Sequence, residues 1–448
     1  MSIARRVAVD VLRRVEAEGA YGQLALNHAL ERRALLPDDR ALCTSLVNGV
    51  LRWRRRLDFA LAAHSQRPLE RIEPALLRIL RMTAYQLLFL DRVPEWAAVD
   101  EATQLAVQMR GQRAGGFVNA VSRALARTRE RVEWPDPDRD MPVHALGVLQ
   151  SFPDWMVEQW LARFGRERAV ALMEAMNRPP PLWVRANSLR VKPDGLISLL
   201  EASGIGAKRL SDVPGAIRLE DARSLTDAAA HEAGFLHIQD AAAQAICHLL
   251  DPRPGERVLD ACGAPGGKTA TIAQLMNDEG ELLTVDLHPA RLGLARKLVD
   301  LLGIGIVQTV AADICEAGEG LGLFDRVLLD APCSGLGVIR RHPETKWRTY
   351  EGDPDRLAQI QRELLDATSR LVRPGGKLVY SVCTFTASEG EALIDSWLEA
   401  HPDFARDDPR QARRAPWHAL LDARGQLCTW PDLHDMDAFF GVRLARSA

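Results

Sequence analysis

Several things are missing from this chain, and each absence excludes a class of function. No C-x-x-C pair occurs in its 448 residues, and the seven cysteines are scattered and odd in number. That spacing argues against a disulfide framework or a zinc site, so free thiols and no bound metal are expected. No apolar run approaches the length of a membrane span, and the opening M-S-I-A-R-R lacks the apolar segment of a signal peptide. The expected location is the cytoplasm, with no membrane partner. Internal repeats and low-complexity tracts are absent too. The first 140 residues contain no lysine; about 23 arginines face about 18 acids there, roughly +5. The overall charge of −3 therefore leaves about −8 for the remainder. A basic N-terminal part suits phosphate contacts, and equally an ordinary solvated surface.

What is present is a hydrophobic fraction of 47% over 448 residues, enough for two or three buried cores. The central stretch is E-R-V-L-D-A-C-G-A-P-G-G-K-T (256–269): a short apolar strand ending in Asp260, a glycine-proline turn, and a helix start. Gly263, Gly266 and Gly267 lack a Cβ and let backbone approach a ligand, and the amides opening the next helix favour an electron-rich group. A dinucleotide fingerprint would need glycine at 261 or 264, where alanine stands. A P-loop would need glycine at 262, where Cys262 stands. A second acid, Asp286, ends the next strand about 20 residues past the glycines, the distance of a residue gripping a ribose diol. The ligand expected is a nucleoside without a polyphosphate.

From Ile3 to about Ala126 apolar residues recur at three-and-four spacing, which predicts a helical bundle over 1–140. Arg52 to Arg56 read as solvated arginines or as phosphate contacts. The proline- and aspartate-rich run 132–151 reads as a linker. A helix over 153–176, a strand at L-W-V-R-A-N and a helix over 193–203 suggest a small α/β subdomain, 150–235. From 236 to 448 strands at 257–261, 281–286, 305–311, 324–330 and 376–383 alternate with helices at 268–276, 290–302, 354–372 and 388–400. This alternation predicts a mostly parallel sheet covered on both faces. Q-L-C-T-W and A-F-F-G-V-R-L would close it with an antiparallel pair. Ligands sit at strand C-termini in such sheets, where Asp260, Asp286, Asp313, Asp330 and Cys383 fall.

Three blocks, D-A-C-G-A-P-G-G-K-T, D-A-P-C-S-G-L-G-V-I-R-R-H-P-E-T-K-W (330–347) and L-V-Y-S-V-C-T (378–384), resemble the RsmB/NOP family of S-adenosylmethionine-dependent RNA cytosine-5 methyltransferases. The helical N-terminal part, with G-F-V-N-A-V-S-R at 116–123, is similar to NusB, which points within that family to the bacterial enzymes of small-subunit rRNA. The resemblance implies a Rossmann-like class I methyltransferase domain, an all-α NusB-like domain and the small α/β subdomain between them. It implies S-adenosylmethionine as cofactor and 16S rRNA as partner of a monomer.

Cytosine carbon-5 is a poor nucleophile, so the chemistry needs a thiolate adding to carbon-6, support for charge at ring nitrogen 3, and a proton acceptor. Cys333 and Cys383 both sit at strand ends, and chemistry alone does not rank them. By resemblance Cys383 is the nucleophile and Cys333 assists release. Asp330 is expected at the pyrimidine edge, where a protonated carboxyl would donate to nitrogen 3. The cofactor is expected across Cys262, Gly263, Ala264, Pro265, Gly266, Gly267 and Lys268. Asp286 is expected on its ribose, Asp313 near the adenine amine and Asp330 toward the methionine part. A helix N-cap is the plain alternative for any single one of these acids. Arg340, Arg341, His342, Lys346 and Trp347 supply cations and flat rings for a single-stranded RNA loop, or a solvated loop with a packed Trp. Arg185 is expected to touch RNA or to be structural, as is Asn187.

The chain departs from the family pattern at V-C-T (382–384) and A-S-E-G (387–390), and Asp437, Ala438, Phe439 and Phe440 stand where D-G-F-F is usual. Competing readings are a tRNA cytosine-5 methyltransferase, and a non-catalytic RNA-binding factor on the same scaffold.

Overall fold

Residues 2–33, 35–220, 229–317, 320–411 and 415–448 are described in the structure, a computed structural model. The chain divides into two units: Met1–Arg178 with Ile339–Glu351, and Pro179–Val338 with Gly352–Ala448.

The first unit is helical. Its long helices are Ile3–Ala17, Gly22–Glu31, Pro37–Ala62, Pro74–Phe89, Glu95–Arg110 and Gln112–Thr128. Their apolar stripes meet in one core that includes Val7, Val11, Leu12, Leu46, Val50, Ile79 and Leu80. Gly49 lets two of them close, since a Cβ there would lie 2.0 Å from the Tyr85 ring. Arg81 is buried, but its fork binds both oxygens of Asp58 at 2.7 and 2.8 Å, so its charge is matched. The run read as a linker contains a helix, Pro142–Leu149. Proline at the first helical position fixes a suitable φ and loses no intrahelical bond, so Pro142 opens a helix rather than breaking one. The helix Asp154–Asn177, interrupted at Gly165, lies in this unit and not with the small sheet that follows.

Among the described residues the second unit holds twelve strands: β1 Leu182–Ala186, β2 Ala207–Arg209, β3 Ala216–Leu219, β4 Leu236–Ile238, β5 Arg257–Ala261, β6 Glu281–Asp286, β7 Val307–Ala311, β8 Phe324–Asp330, β9 Val372–Val382, β10 Phe404–Arg406, β11 Leu427–Cys428 and β12 Phe440–Arg446. The first four form an antiparallel sheet in the order β2-β3-β1-β4. Residues 221–228 of the small α/β subdomain lie outside the described residues. The other strands run β10-β12-β9-β8-β5-β6-β7, with β11 beside β12. β9-β8-β5-β6-β7 are mutually parallel, and β12 adds antiparallel to β9. Val258, Leu259, Val327, Leu328, Leu378 and Val379 have no exposed surface, as strands covered on both faces require. Among the described residues no helix is long and apolar enough to cross a membrane.

Strand order reverses at β5, between β8 and β6. The loops after these strands therefore open on a common crevice at their C-terminal ends, and every motif block includes a strand end there.

Candidate active site

Backbone geometry shapes the turn after β5. Cys262 sits at φ 62° and Gly266 at φ 103°; a Cβ at Gly266 would come 2.6 Å from Ala295, so only glycine fits. Gly263 N–H donates to Val285 O at 3.0 Å, pinning the turn to β6. The helix Gly267–Leu275 then begins with no side chain capping it. Its first amides have no intrahelical acceptor, which leaves them for a ligand.

Asp286, 5% exposed, ends β6. One oxygen accepts from Ala264 N at 3.2 Å and the other from His288 N at 2.9 Å, locking the carboxylate beside the turn. Asp313 is exposed after β7 and accepts from Cys315 N at 2.9 Å, the N-cap arrangement of the short helix Ile314–Ala317. Asp260 is fully buried. Its Oδ2 accepts from Thr269 Oγ1 at 2.6 Å, while Oδ1 has no protein partner. Burial, only partly offset by the Thr269 bond and reinforced by the Asp330 charge, pushes this carboxyl up to about 7.

Asp330, closing β8, accepts from Lys268 Nζ at 2.6 Å and from Ser381 Oγ at 2.8 Å. Both its oxygens are acceptors in these bonds. The Lys268 ammonium that it holds is a donor at the same strand end. Burial pulls Lys268 down, but Asp330 outweighs it and holds the ammonium above its ordinary range. The same ammonium lies 5.0 Å over the Phe439 ring.

Cys333 and Cys383 meet, with their sulfurs 3.2 Å apart. The hydrogen bond to Cys383, and then burial, hold the Cys333 thiol well above its usual range. Cys262 and Cys247 are each pushed up to about 12, by burial first. Either sulfur can donate in this contact, so the two cysteines share one site without being ranked by it.

Other expected contacts lie elsewhere. Arg340 and Lys346 are 3% and 0% exposed, inside the helical unit. Lys346 Nζ donates to Arg52 O (3.1 Å), Ser151 O (3.1 Å) and Asn177 Oδ1 (2.7 Å), and sits 3.5 Å over the Phe152 ring. Trp347 donates its indole N–H to Leu51 O at 2.6 Å, under Arg54. Neither an RNA-stacking loop nor a solvated one describes this segment, because helix and turn carbonyls take up its donors. Arg341 and His342 remain partly exposed. Arg52 is buried on Arg340 O, Arg55 pairs with Asp154, and Arg56 stacks over Trp134, so that cluster is packing. Arg185 is corrected as well: it is 3% exposed, binding Gln274 Oε1 at 2.9 Å and Pro214 O at 3.1 Å. Asn187 ties Gly234 O to Leu302 O.

Ser381, Phe439 and the Ser334–Thr384–Glu389 group behind the cysteines were not singled out as site residues. Their signal was faint: Thr384 and Glu389 stood only in the two departing motifs. Among the described residues, no group of three or more His, Cys, Asp or Glu is arranged to hold a metal ion.

Comparison with known proteins finds three family matches, one of which groups the helix Asp154–Asn177 with the small sheet. Residues 247–445 match the family described as 16S rRNA methyltransferase RsmB/F, residues 2–127 match the NusB family, and residues 152–226 match the ferredoxin-like domain of RsmF/B-type methyltransferases. The probable ribosomal RNA small subunit methyltransferase B of Bacillus subtilis is 34% identical over 441 residues, 97% of each chain. That of Synechocystis is 33% identical over 450 residues, all of each chain. A solved methyltransferase homolog from Pyrococcus horikoshii is 29% identical, with a TM-score of 0.59, covering 68% of this chain and 99% of its own.

Proposed function

The chain belongs to the 16S rRNA methyltransferase RsmB/F family, and from that premise we propose that it methylates carbon-5 of a cytosine in 16S rRNA through a covalent bond between Cys383 and the base. The observation that carries the reading is the pair of sulfurs 3.2 Å apart beside the Lys268–Asp330 pair, at the C-terminal edge of the parallel sheet.

S-adenosylmethionine fits the crevice. Uncapped amides of the helix Gly267–Leu275 suit its carboxylate, and Asp286, locked at the end of β6, suits its ribose hydroxyls. The turn Cys262–Lys268 would hold it, with Asp313 serving the adenine amine and Asp330 the methionine part. When bound, it supplies an electrophilic methyl group on a sulfonium. All else falls to the protein. Cys383 Sγ, as thiolate, forms a bond to carbon-6, and the electron pair displaced from the ring double bond makes carbon-5 nucleophilic. Lys268, oriented by Asp330, stabilises the negative charge that builds on the pyrimidine edge. After transfer, a base takes the carbon-5 proton, the sulfur–carbon-6 bond breaks, and Cys383 departs. Cys333, holding its proton against the Cys383 sulfur, assists that departure by protonating it. The target base must leave its stack for this to happen.

Methylation of 16S rRNA, read by bisulfite sequencing with and without the protein, tests the substrate, with tRNA as the comparison. Cys383→Ala should abolish methylation, and Cys333→Ala should leave protein covalently trapped on RNA in a denaturing gel. Full activity of Cys383→Ala would overturn the mechanism.

A further inference from the structure

Behind the two cysteines lies a carboxylate that the mechanism above does not use. Glu389 is 0% exposed, and among the described residues no lysine or arginine pairs with it. Four donors surround it instead. Oε1 accepts from Ser334 N (2.8 Å) and Gln361 Nε2 (3.0 Å), and Oε2 from Ser334 Oγ (2.6 Å) and Thr386 Oγ1 (2.8 Å). Burying a carboxylate without a cation is costly, and an apolar side chain would serve packing better.

The four donors show what that cost secures. Ser334 follows Cys333, and Thr384 follows Cys383. Ser334 Oγ gives its proton to the carboxylate, so at the 2.9 Å contact between hydroxyls it accepts from Thr384 Oγ1. The other side of Cys333 is held too: Gln361 Nε2, shared with Glu389, also donates to Pro332 O at 3.0 Å. Tyr380, on β9, donates to Gln361 Oε1 (3.0 Å) and to Glu389 O (2.7 Å). One carboxylate thus fixes the residue after each cysteine and, through Gln361, the residue before one of them.

We propose that Glu389 is a positioning residue that holds the Cys333 thiol against the Cys383 sulfur, setting the distance over which the release proton passes. The proposal rests on the two-cysteine reading, but its geometric half does not need a substrate. The carboxylate is the one acceptor that takes all four donors at once. Its amide analogue has a compromise open to it: the amide oxygen keeps Ser334 N and Gln361, while the amide N–H faces Ser334 Oγ, whose hydroxyl turns toward Thr384.

Crosslinking of the two thiols by dibromobimane in the full chain, which becomes fluorescent only when both arms react, reads the sulfur separation without RNA. Glu389→Ala should lose crosslinking by roughly tenfold and kcat by ~10²-fold, the scale of a 1 Å misplacement, with the KM for S-adenosylmethionine unchanged. Glu389→Gln should recover crosslinking and most of kcat. Thr384→Val, which deletes only one hydroxyl, should lie between and keeps the test open should Glu389→Ala fail to fold. Loss of crosslinking in Glu389→Ala with recovery in Glu389→Gln supports the proposal whatever RNA is methylated. Wild-type crosslinking in folded Glu389→Ala, or in Thr384→Val together with unchanged kcat, overturns it.

Discussion

Replacing Lys346 by methionine separates burial from nucleic-acid contact. Its ammonium donates to two main-chain carbonyls and one side-chain amide oxygen, with no exposed surface and, among the described residues, no carboxylate partner. Methionine fills a similar volume, so little cavity arises, but three buried acceptors lose their donor at ~1 kcal/mol each. Relief of the buried ammonium offsets part of that, leaving a net loss of about 2 kcal/mol. The local opening equilibrium of the 339–351 segment should therefore rise ~30-fold, at 1.36 kcal/mol per decade. Hydrogen exchange read by mass spectrometry measures it at the Trp347 and Thr349 amides, which donate to Glu344 O and Thr345 O. The effect should depend on pH. Burial, reinforced by Arg52, depresses Lys346 well below 10.5, so between its folded value and 10.5 the unfolded chain binds more protons than the native one. The wild-type segment should then tighten as pH rises through that window, and the methionine variant should not. Unchanged exchange together with a weaker, less salt-dependent affinity for RNA would refute this and restore the RNA-contact reading.

Gly337→Ala would place a Cβ 2.0 Å from Ala438 O and 2.8 Å from Cys383 O. Saturating-substrate assays should find kcat down by ~10²-fold, and a wild-type rate would contradict that close approach. Asp260→Asn keeps the Thr269 bond but removes a carboxyl raised from 3.8 to about 7. Over that window the native state holds a proton the unfolded chain has released, so wild-type stability should fall relative to the variant as pH rises, by at most ~1.4 kcal/mol per pH unit. Denaturant titrations at several pH values check the sign; a gap independent of pH would count against it. Arg185→Met leaves Gln274 Oε1 and Pro214 O without a buried donor and should lower stability by roughly 2–3 kcal/mol. The salt slope of RNA binding should stay unchanged; a shallower slope would return Arg185 to the RNA.

Strand ends were legible in the sequence because a buried parallel strand cannot hide its pattern: apolar runs stop at Asp260, Asp286 and Asp330, and the chemistry stops with them. The antiparallel closure by Q-L-C-T-W and A-F-F-G-V-R-L was equally plain. The R-R-H-P-E-T-K-W run was not. Positive charge reads as solvent-facing unless its acceptors are known, and those of Lys346 belong to residues 169 to 294 positions away. Arg185 misled for the same reason, its partners being a glutamine and a proline carbonyl. Pro142 opened a helix where composition suggested a break, and the three-residue strand Phe404–Arg406 was too short to announce itself. The meeting of the two cysteine sulfurs is a distance, which no spacing encodes.

Because Ile339–Glu351 belongs to the helical unit while the chain on either side of it does not, this protein cannot be divided by one cut. A fragment beginning at Pro179 would keep thirteen orphan residues whose Lys346, Trp347 and Arg348 have lost the acceptors that held them, a recipe for aggregation. Anyone dissecting it should excise that excursion and bridge Val338 to Gly352 with a short flexible splice, supplying the missing piece back to the N-terminal half as a peptide.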